Sequence, residues 1–447
     1  METVRTDVSF GESFRTWLRI SLLSFGGPAA QIAVMHRIIV DEKKWLEERR
    51  FPHALNLHAA FPSVARSAQQ LATYIGWLMH GVRGGLMAGL LFILPGFVSI
   101  LALSYAYVLL QGTSTFEGLF FGLKCAVLAI VAEAVQRVSR RVLKNRALVL
   151  ISIIAFLLLW SGLLPFPAVI GLAALTGWVG HRFAPEIFLP KKKEESSAPA
   201  TVEATASKDV GWTRPLLTSA IFLTLWFAPI VALRTTRGDN DVFVQTSLFF
   251  SKAAVVTFGG AYSVLSYVDQ QAVERFHWIA KGEMADGLGL AETTPGPLIM
   301  VVQFVGFLAA YRHATGLSPM VAGTVGAVLT TWVTFVPCFF WIFLGAPYVE
   351  KLLNVRSLSS ALTGITASVV GVIATLGVNL AIATLFAKSS RVAYGPFEVV
   401  VPQWSTVSPS ALFVTTIAFV LTFAFHRGLA VTLSTCVIVG ALLRWLL

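Results

Sequence analysis

Charge is what this sequence has least of. Only 13% of its 447 residues are Asp, Glu, Lys or Arg, while 56% are hydrophobic and the mean hydropathy is +0.74. A water-soluble globule carries about 25% charged residues and could not hide so much apolar surface. Cysteine is scarce. Cys125, Cys338 and Cys436 stand far apart in apolar runs, which excludes a disulfide framework and reads as small buried residues. No Walker-type loop occurs, so the chain does not energise itself by hydrolysing ATP. It has no nucleophile–base constellation, which argues against an enzyme. His53 and His58 lack a third ligand at metal spacing, so neither a metal nor a cofactor is expected. No cleavable signal peptide is expected either: Arg15 and Arg19 interrupt the first apolar run, and no small-residue cleavage site follows.

What is present is apolar sequence in long runs. Several exceed about 18 residues, the length that crosses a bilayer as helix. They are continuous rather than alternating, which disfavours a barrel. The expected fold is an all-α polytopic membrane protein of about thirteen spans. Lys and Arg outnumber Asp and Glu by 34 to 23. No basic domain stands apart from the spans, so nucleic acid is not an expected partner. The excess belongs in cytoplasmic loops, where it would also draw anions toward a pore mouth. With the N-terminus cytoplasmic, the basic stretches 137–146 and 182–214 lie inside and the C-terminus is periplasmic. That places the chain as a multi-pass membrane protein surrounded by lipid, with a homodimer as the oligomer considered.

The two halves resemble each other. Phe25-Gly26-Gly27 returns 233 residues later as Phe258-Gly259-Gly260. At the same offset Trp45 meets Trp278, Leu57 meets Leu290, Pro62 meets Pro295 and Gln70 meets Gln303. This divides the chain into a repeat at 1–181, a polar linker at 182–212, an extra span within 213–241 and a second repeat at 242–447. The extra span makes the number of crossings between the repeat starts odd. The second repeat is therefore expected upside down relative to the first, a plan that puts a binding site near the bilayer midplane.

Helix breaks mark where that site belongs. Glu292-Thr293-Thr294-Pro295-Gly296-Pro297 cannot continue a helix. In lipid a broken helix survives only where protein or a water-filled cavity satisfies the freed backbone. Further breaks fall at Gly26-Gly27-Pro28, at Phe61-Pro62-Ser63 and at Gly259-Gly260. Half-helices starting there would aim N–H groups at a cavity, and Ser63, Thr293 and Thr294 would add hydroxyls. Arg19 and Lys252 are symmetry mates, each six residues before its Phe-Gly-Gly, and an intramembrane cation normally faces a cavity or a partner. Such a set suits a tetrahedral oxyanion. Glu292 and Glu133 are the candidates for carrying a coupled proton. Gly81, Gly85 and Gly89 read as a close-packing stripe.

These residues resemble the chromate ion transporter family. The resemblance rests on Phe25-Gly26-Gly27-Pro28, on the run from Gln69-Gln70-Leu71-Ala72-Thr73-Tyr74 to Ile75-Gly76-Trp77, on Phe258-Gly259-Gly260 and on Thr293 to Met300. It implies two homologous halves in opposite orientation, an inner-membrane location and gradient-driven chromate efflux that confers resistance. It also implies that chromate, a sulfate mimic, is the substrate. One segment departs from the family. Its first half usually carries Pro-Gly-Pro-Glu-Ala, where this chain has Pro62-Ser63-Val64-Ala65-Arg66-Ser67-Ala68, so the family's glutamate there has no counterpart. Two alternatives stay open: carriage of another oxyanion such as sulfate, inward included, and a membrane sensor or assembly subunit that has lost transport.

Overall fold

The computed structural model describes residues 8–48, 51, 68–188, 213–256, 260–345, 355–395 and 397–446. The chain opens with α1, Phe10–Leu23, whose start is capped by the Ser9 hydroxyl accepting the Glu12 N–H at 3.2 Å. Ser13, Thr16, Trp17 and Ile20 recur at helical spacing and bury one face of it. The helix stops at Ser24, because Gly26 and Gly27 both adopt φ +78°, a conformation open to glycine. From there α2, Gly27–His36, runs into a π-helical turn, Arg37–Glu42.

Next comes α3, Ala68–Leu110, which is bent back on itself. His80 and Gly81 leave helical geometry, with φ −134° and +59°. The two arms lie so close that a Cβ on Gly76 or on Gly84 would collide with the other's carbonyl. Gly85 and Gly89 admit the rings of Phe343 and Phe339. Within the glycine stripe, then, Gly85 and Gly89 do the packing and Gly81 makes the turn. Three helices complete this half: α4 (Ser114–Val142), α5 (Arg146–Trp160) and α6 (Phe166–Phe183).

The second half begins with α7, Thr213–Arg237, and α8, Val242–Val256. After a break come α9, Ala261–Gln270, and a second π-helical turn, Gln271–Arg275. Then follow α10 (Glu283–Thr293), a 3-10 turn (Leu298–Met300) and α11 (Val301–His313). The chain ends with α12 (Pro319–Gly345), α13 (Arg356–Leu385), α14 (Pro409–Phe419) and α15 (Leu429–Leu446). Between α13 and α14 sits an antiparallel hairpin, β1 (Ser389–Tyr394) with β2 (Phe397–Pro402), an addition to the expected all-α plan.

Local geometry recurs at the sequence offset. Lys44 and His277 both have φ +54°. The Trp45 N–H reaches back to the Ile39 carbonyl at 2.9 Å, and the Trp278 N–H to that of Ala272 at 2.8 Å. Both π-helical turns precede these tryptophans. A matched backbone detail of this kind is harder to reach by chance than a matched residue type.

Among the described residues, six helices are long and apolar enough to cross a membrane: α3, α4, α7 from Pro215, α12, α13 and α15. Four shorter apolar helices accompany them. The chain is an all-α polytopic membrane protein. Its buried apolar residues form two main cores. One gathers Trp17, Ile20, Met35, Ile39, Trp45 and Phe92 from the first 92 residues. The larger one holds most of the remaining helices, from Ile93 through Phe304 to Cys436.

Gly84→Val should force the arms of α3 apart. Overpacking of this kind costs about 1–3 kcal/mol, so the melting temperature of the purified protein in detergent is expected to fall by several degrees. Gly171→Val, where a Cβ meets nothing within 4 Å, is expected to leave it unchanged.

Candidate functional site

The break that ends α10 sits where the two cores meet. The Gly296 N–H donates to the Ser24 carbonyl at 2.9 Å. The Gly296 carbonyl accepts from the Gln31 side-chain amide at 2.6 Å. Thus the break between α1 and α2 is bonded, through one peptide unit on each side of a single glycine, to the break after α10. Gly296 has φ +104°, and a Cβ there would lie 3.0 Å from Gly96 Cα. Conversely, a Cβ on Gly96 would lie 2.8 Å from the Pro295 carbonyl. The Pro95-Gly96 position of α3 is therefore the wall against which the second break packs. Next to it the Gln303 amide donates to the Phe97 carbonyl at 3.0 Å.

Glu292 is buried just before this break. Its carboxyl accepts a short hydrogen bond from the Tyr262 hydroxyl of α9. Its charged neighbours are Glu133 and Arg137 of α4, which act on it electrostatically. Those two form an i,i+4 ion pair at 2.5 Å on a more exposed face. Glu292 and Glu133 are therefore brought to one region. The hydroxyls of Thr293 and Thr294 each donate to a carbonyl one turn back, at 2.8 and 3.2 Å. Their lone pairs, not their protons, are free for a ligand. Thr294 is buried and Thr293 exposed.

The other sequence candidates are placed as follows. Gly26 and Gly27 start α2, and Gly260, with φ +112°, starts α9; neither start has a side-chain cap. Arg19 is half-exposed and pairs with Glu42 at 2.8 Å. Lys252 is exposed on α8, with no hydrogen-bond or ion-pair partner among the described residues. The structure does not bring these two cations to the Glu292 break. Ser63 and Gly259 lie outside the described residues, as do Pro62 and Arg66.

Lys124 and Asp286 stand out in the sequence as charges in or near spans, Asp286 too close to a segment end to rank highly, but nothing there pairs them; the structure joins them in a second polar cluster. Asp286 of α10 is buried and pairs with Lys124 of α4 at 3.1 Å. Tyr107 of α3 donates to Asp286 at 3.0 Å and to Glu283 at 3.2 Å. Glu283 is gripped by both Nη atoms of Arg312 at 2.7 Å and by the Ala280 N–H at 2.7 Å. Tyr262 was likewise not foreseen, since nothing local in the sequence couples it to a residue thirty positions away.

Broken helices meeting at a buried carboxyl define a class: a polytopic membrane protein whose irregular backbone lies inside the protein rather than against lipid. The sequence pattern of the chromate transporter family matches residues 11–178 and 244–445, and the chain belongs to that family. The two matched stretches begin at equivalent positions of the repeat. A chromate transport protein of Pseudomonas aeruginosa is 30% identical over 85% of this chain and 83% of its own length. One from Cupriavidus metallidurans is 27% identical, over 80% and 79%. A probable chromate transport protein of Synechococcus elongatus is 28% identical, over 80% and 81%. No solved structure matches the chain.

Gly296→Ala should disturb both breaks at once. Backbone held in a sparsely populated region costs about 1–3 kcal/mol, and the added methyl meets Gly96. The variant is expected to melt lower than the parent, whereas Thr293→Ala, exposed and bonded only to its own helix, should melt within about 0.5 kcal/mol of it.

Proposed function

We propose that the chain is a secondary-active carrier that exports chromate across the inner membrane by alternating access and thereby confers chromate resistance. The observation that carries the reading is the buried Glu292 carboxyl at the joined breaks. A carboxyl in an apolar interior with a hydroxyl partner and no directly bonded cation is poised to exchange a proton. Its position beside unpaired helix starts would let proton and anion affect one another. In this reading the first repeat at 1–181 and the second at 242–447 are inverted copies. The linker 182–212 is cytoplasmic, and the span within 213–241 performs the inversion. The N-terminus faces the cytoplasm and the C-terminus the periplasm. The starts of α2 and α9 and the backbone of Leu298 supply N–H groups to the oxyanion. Arg19 and Lys252 act by raising its concentration at the mouths rather than by direct contact. Support comes from the family, from relatives named for chromate transport, and from the recurring backbone geometry.

The second reading is carriage of another tetrahedral oxyanion such as sulfate. The N–H donors at the breaks do not distinguish chromate from sulfate by charge or shape, so the two compete as substrates on equal physical grounds.

Expression in a chromate-sensitive host tests the first reading: resistance and efflux of labelled chromate from loaded cells are expected. Glu292→Gln should lower the efflux rate at least about tenfold, or about 1.4 kcal/mol of barrier. Lys252→Ala should weaken efflux most at low salt, as a steering charge does. Sulfate competing as well as chromate, with resistance absent, would favour the second reading. Neither transport nor resistance would leave the sensor or assembly role.

A further inference from the structure

The cluster at the opposite end of α10 from Glu292 has a charge balance that singles out one pair. Glu283 is fully matched by Arg312: two parallel N–H bonds, with the Ala280 N–H and the Tyr107 hydroxyl besides. This is the geometry of a permanent ion pair. Asp286 differs. Its Oδ2 accepts from Tyr107 and faces Lys124, while its Oδ1 is buried with no partner. An ionised carboxylate is an acceptor only, and one oxygen left bare in the interior makes that form costly. Lys124 is the opposite case. Its side chain is 29% exposed against 2% for that of Asp286, so of the pair it is the member open to the outside of the cluster. Gly282, with φ +88°, borders it without a side chain; a Cβ there would stand 3.7 Å from Nζ.

With Asp286 ionised the four charges Lys124, Asp286, Glu283 and Arg312 cancel. Adding one proton to Asp286 leaves the cluster with a net positive charge, and that charge sits on the accessible ammonium. The remaining group facing Asp286, Tyr107 of α3, stays neutral in either state. We propose that Lys124 and Asp286 form a proton-gated anion site: the Asp286 carboxylate occupies the Lys124 ammonium until it takes a proton, which frees the ammonium for an oxygen of a tetrahedral oxyanion. The proton adds to a carboxylate oxygen, one ion pair is exchanged for another, and no covalent bond to the anion forms. Proton and anion thus enter together. The inference rests on the oxyanion-carrier reading and assigns its coupling to a pair other than Glu292.

The purified full chain in lipid nanodiscs, with chromate as ligand above the pH of chromate's own titration, tests this. The parent protein should take up about one proton per anion bound, and its affinity should fall as pH rises. Asp286→Asn, which imitates the protonated carboxyl, should bind chromate with an affinity that no longer varies with pH. Lys124→Gln should bind at least tenfold more weakly at every pH, and Lys124→Arg should restore most of the loss. Chromate binding by the parent without proton uptake overturns the proposal whatever the variants do, and needs no variant to fold. So does an Asp286→Asn protein that keeps the parent's pH dependence. Failure of the parent to bind chromate or sulfate at all would instead overturn the carrier reading, and this inference with it.

Discussion

The structure depends on how the interrupted helices satisfy their freed backbone. Inside a membrane protein an unpaired N–H or C=O has no water to turn to, at a cost of several kcal/mol per group. Here the solution is mutual. The N–H and C=O of Gly296 are both paired, and both partners, Ser24 and Gln31, flank the break between α1 and α2. Each break therefore completes the other. Glycine is required at 296 because the peptide must turn through φ +104° while lying against Gly96. The same bonds tie the core of the first 92 residues to the larger core through polar backbone, alongside the close approach of the Phe343 and Phe339 rings to Gly85 and Gly89.

Glu292 takes its position from this junction. It is the third buried carboxylate along α10, and the three are handled in three ways. Glu283 has a bidentate guanidinium, Asp286 an ammonium and a phenol, and Glu292 a phenol. Positive compensation declines along the helix toward the break. A fully matched carboxylate is fixed in its ionised form, whereas one compensated by a hydroxyl can change state within the range a cell provides. The order along α10 is thus an order of decreasing charge compensation, from Glu283 at the start of the helix to Glu292 at its end.

The breaks were legible in the sequence because glycine and proline act locally. Gly26-Gly27 and Pro295-Gly296 announce a turn whatever surrounds them. The matched turns left a signal for the same reason, since Trp45 and Trp278 keep company with like backbone geometry. Partners were not. Lys124 and Asp286 are 162 positions apart, and no periodicity within either helix points to the other. Glu133 and Arg137 sit one turn apart, and that ion pair was there to be read. The hairpin at 389–402 also left a signal, a β-branched run around Tyr394-Gly395-Pro396-Phe397, hidden by the surrounding apolar spans. Arg19 and Lys252 carried the expectation of a buried anion site because their spacing is symmetric. Spacing fixes the height of a residue along a repeat, but rotation about the helix decides whether it faces the core, and both face outward.

The halves are alike in backbone and unlike in chemistry. At the repeat offset Glu283, Asp286 and Glu292 correspond to Arg50, His53 and Ala59. Around α10 the first half contributes the Ser24 carbonyl, the Gln31 amide, Tyr107, Lys124 and the more exposed Glu133, and the second half contributes the buried carboxylates. In a scaffold of two inverted copies, exchange of shape between the halves would by itself produce two end states of equal energy. Acidic groups confined to one copy remove that equality. Any rearrangement that exposes α10 to one side changes the solvation of three carboxylates, with no matching change from the other copy. In the carrier reading proposed above, the side from which α10 is solvated would then set which end state is favoured, and direction would be a property of charge placement rather than of fold.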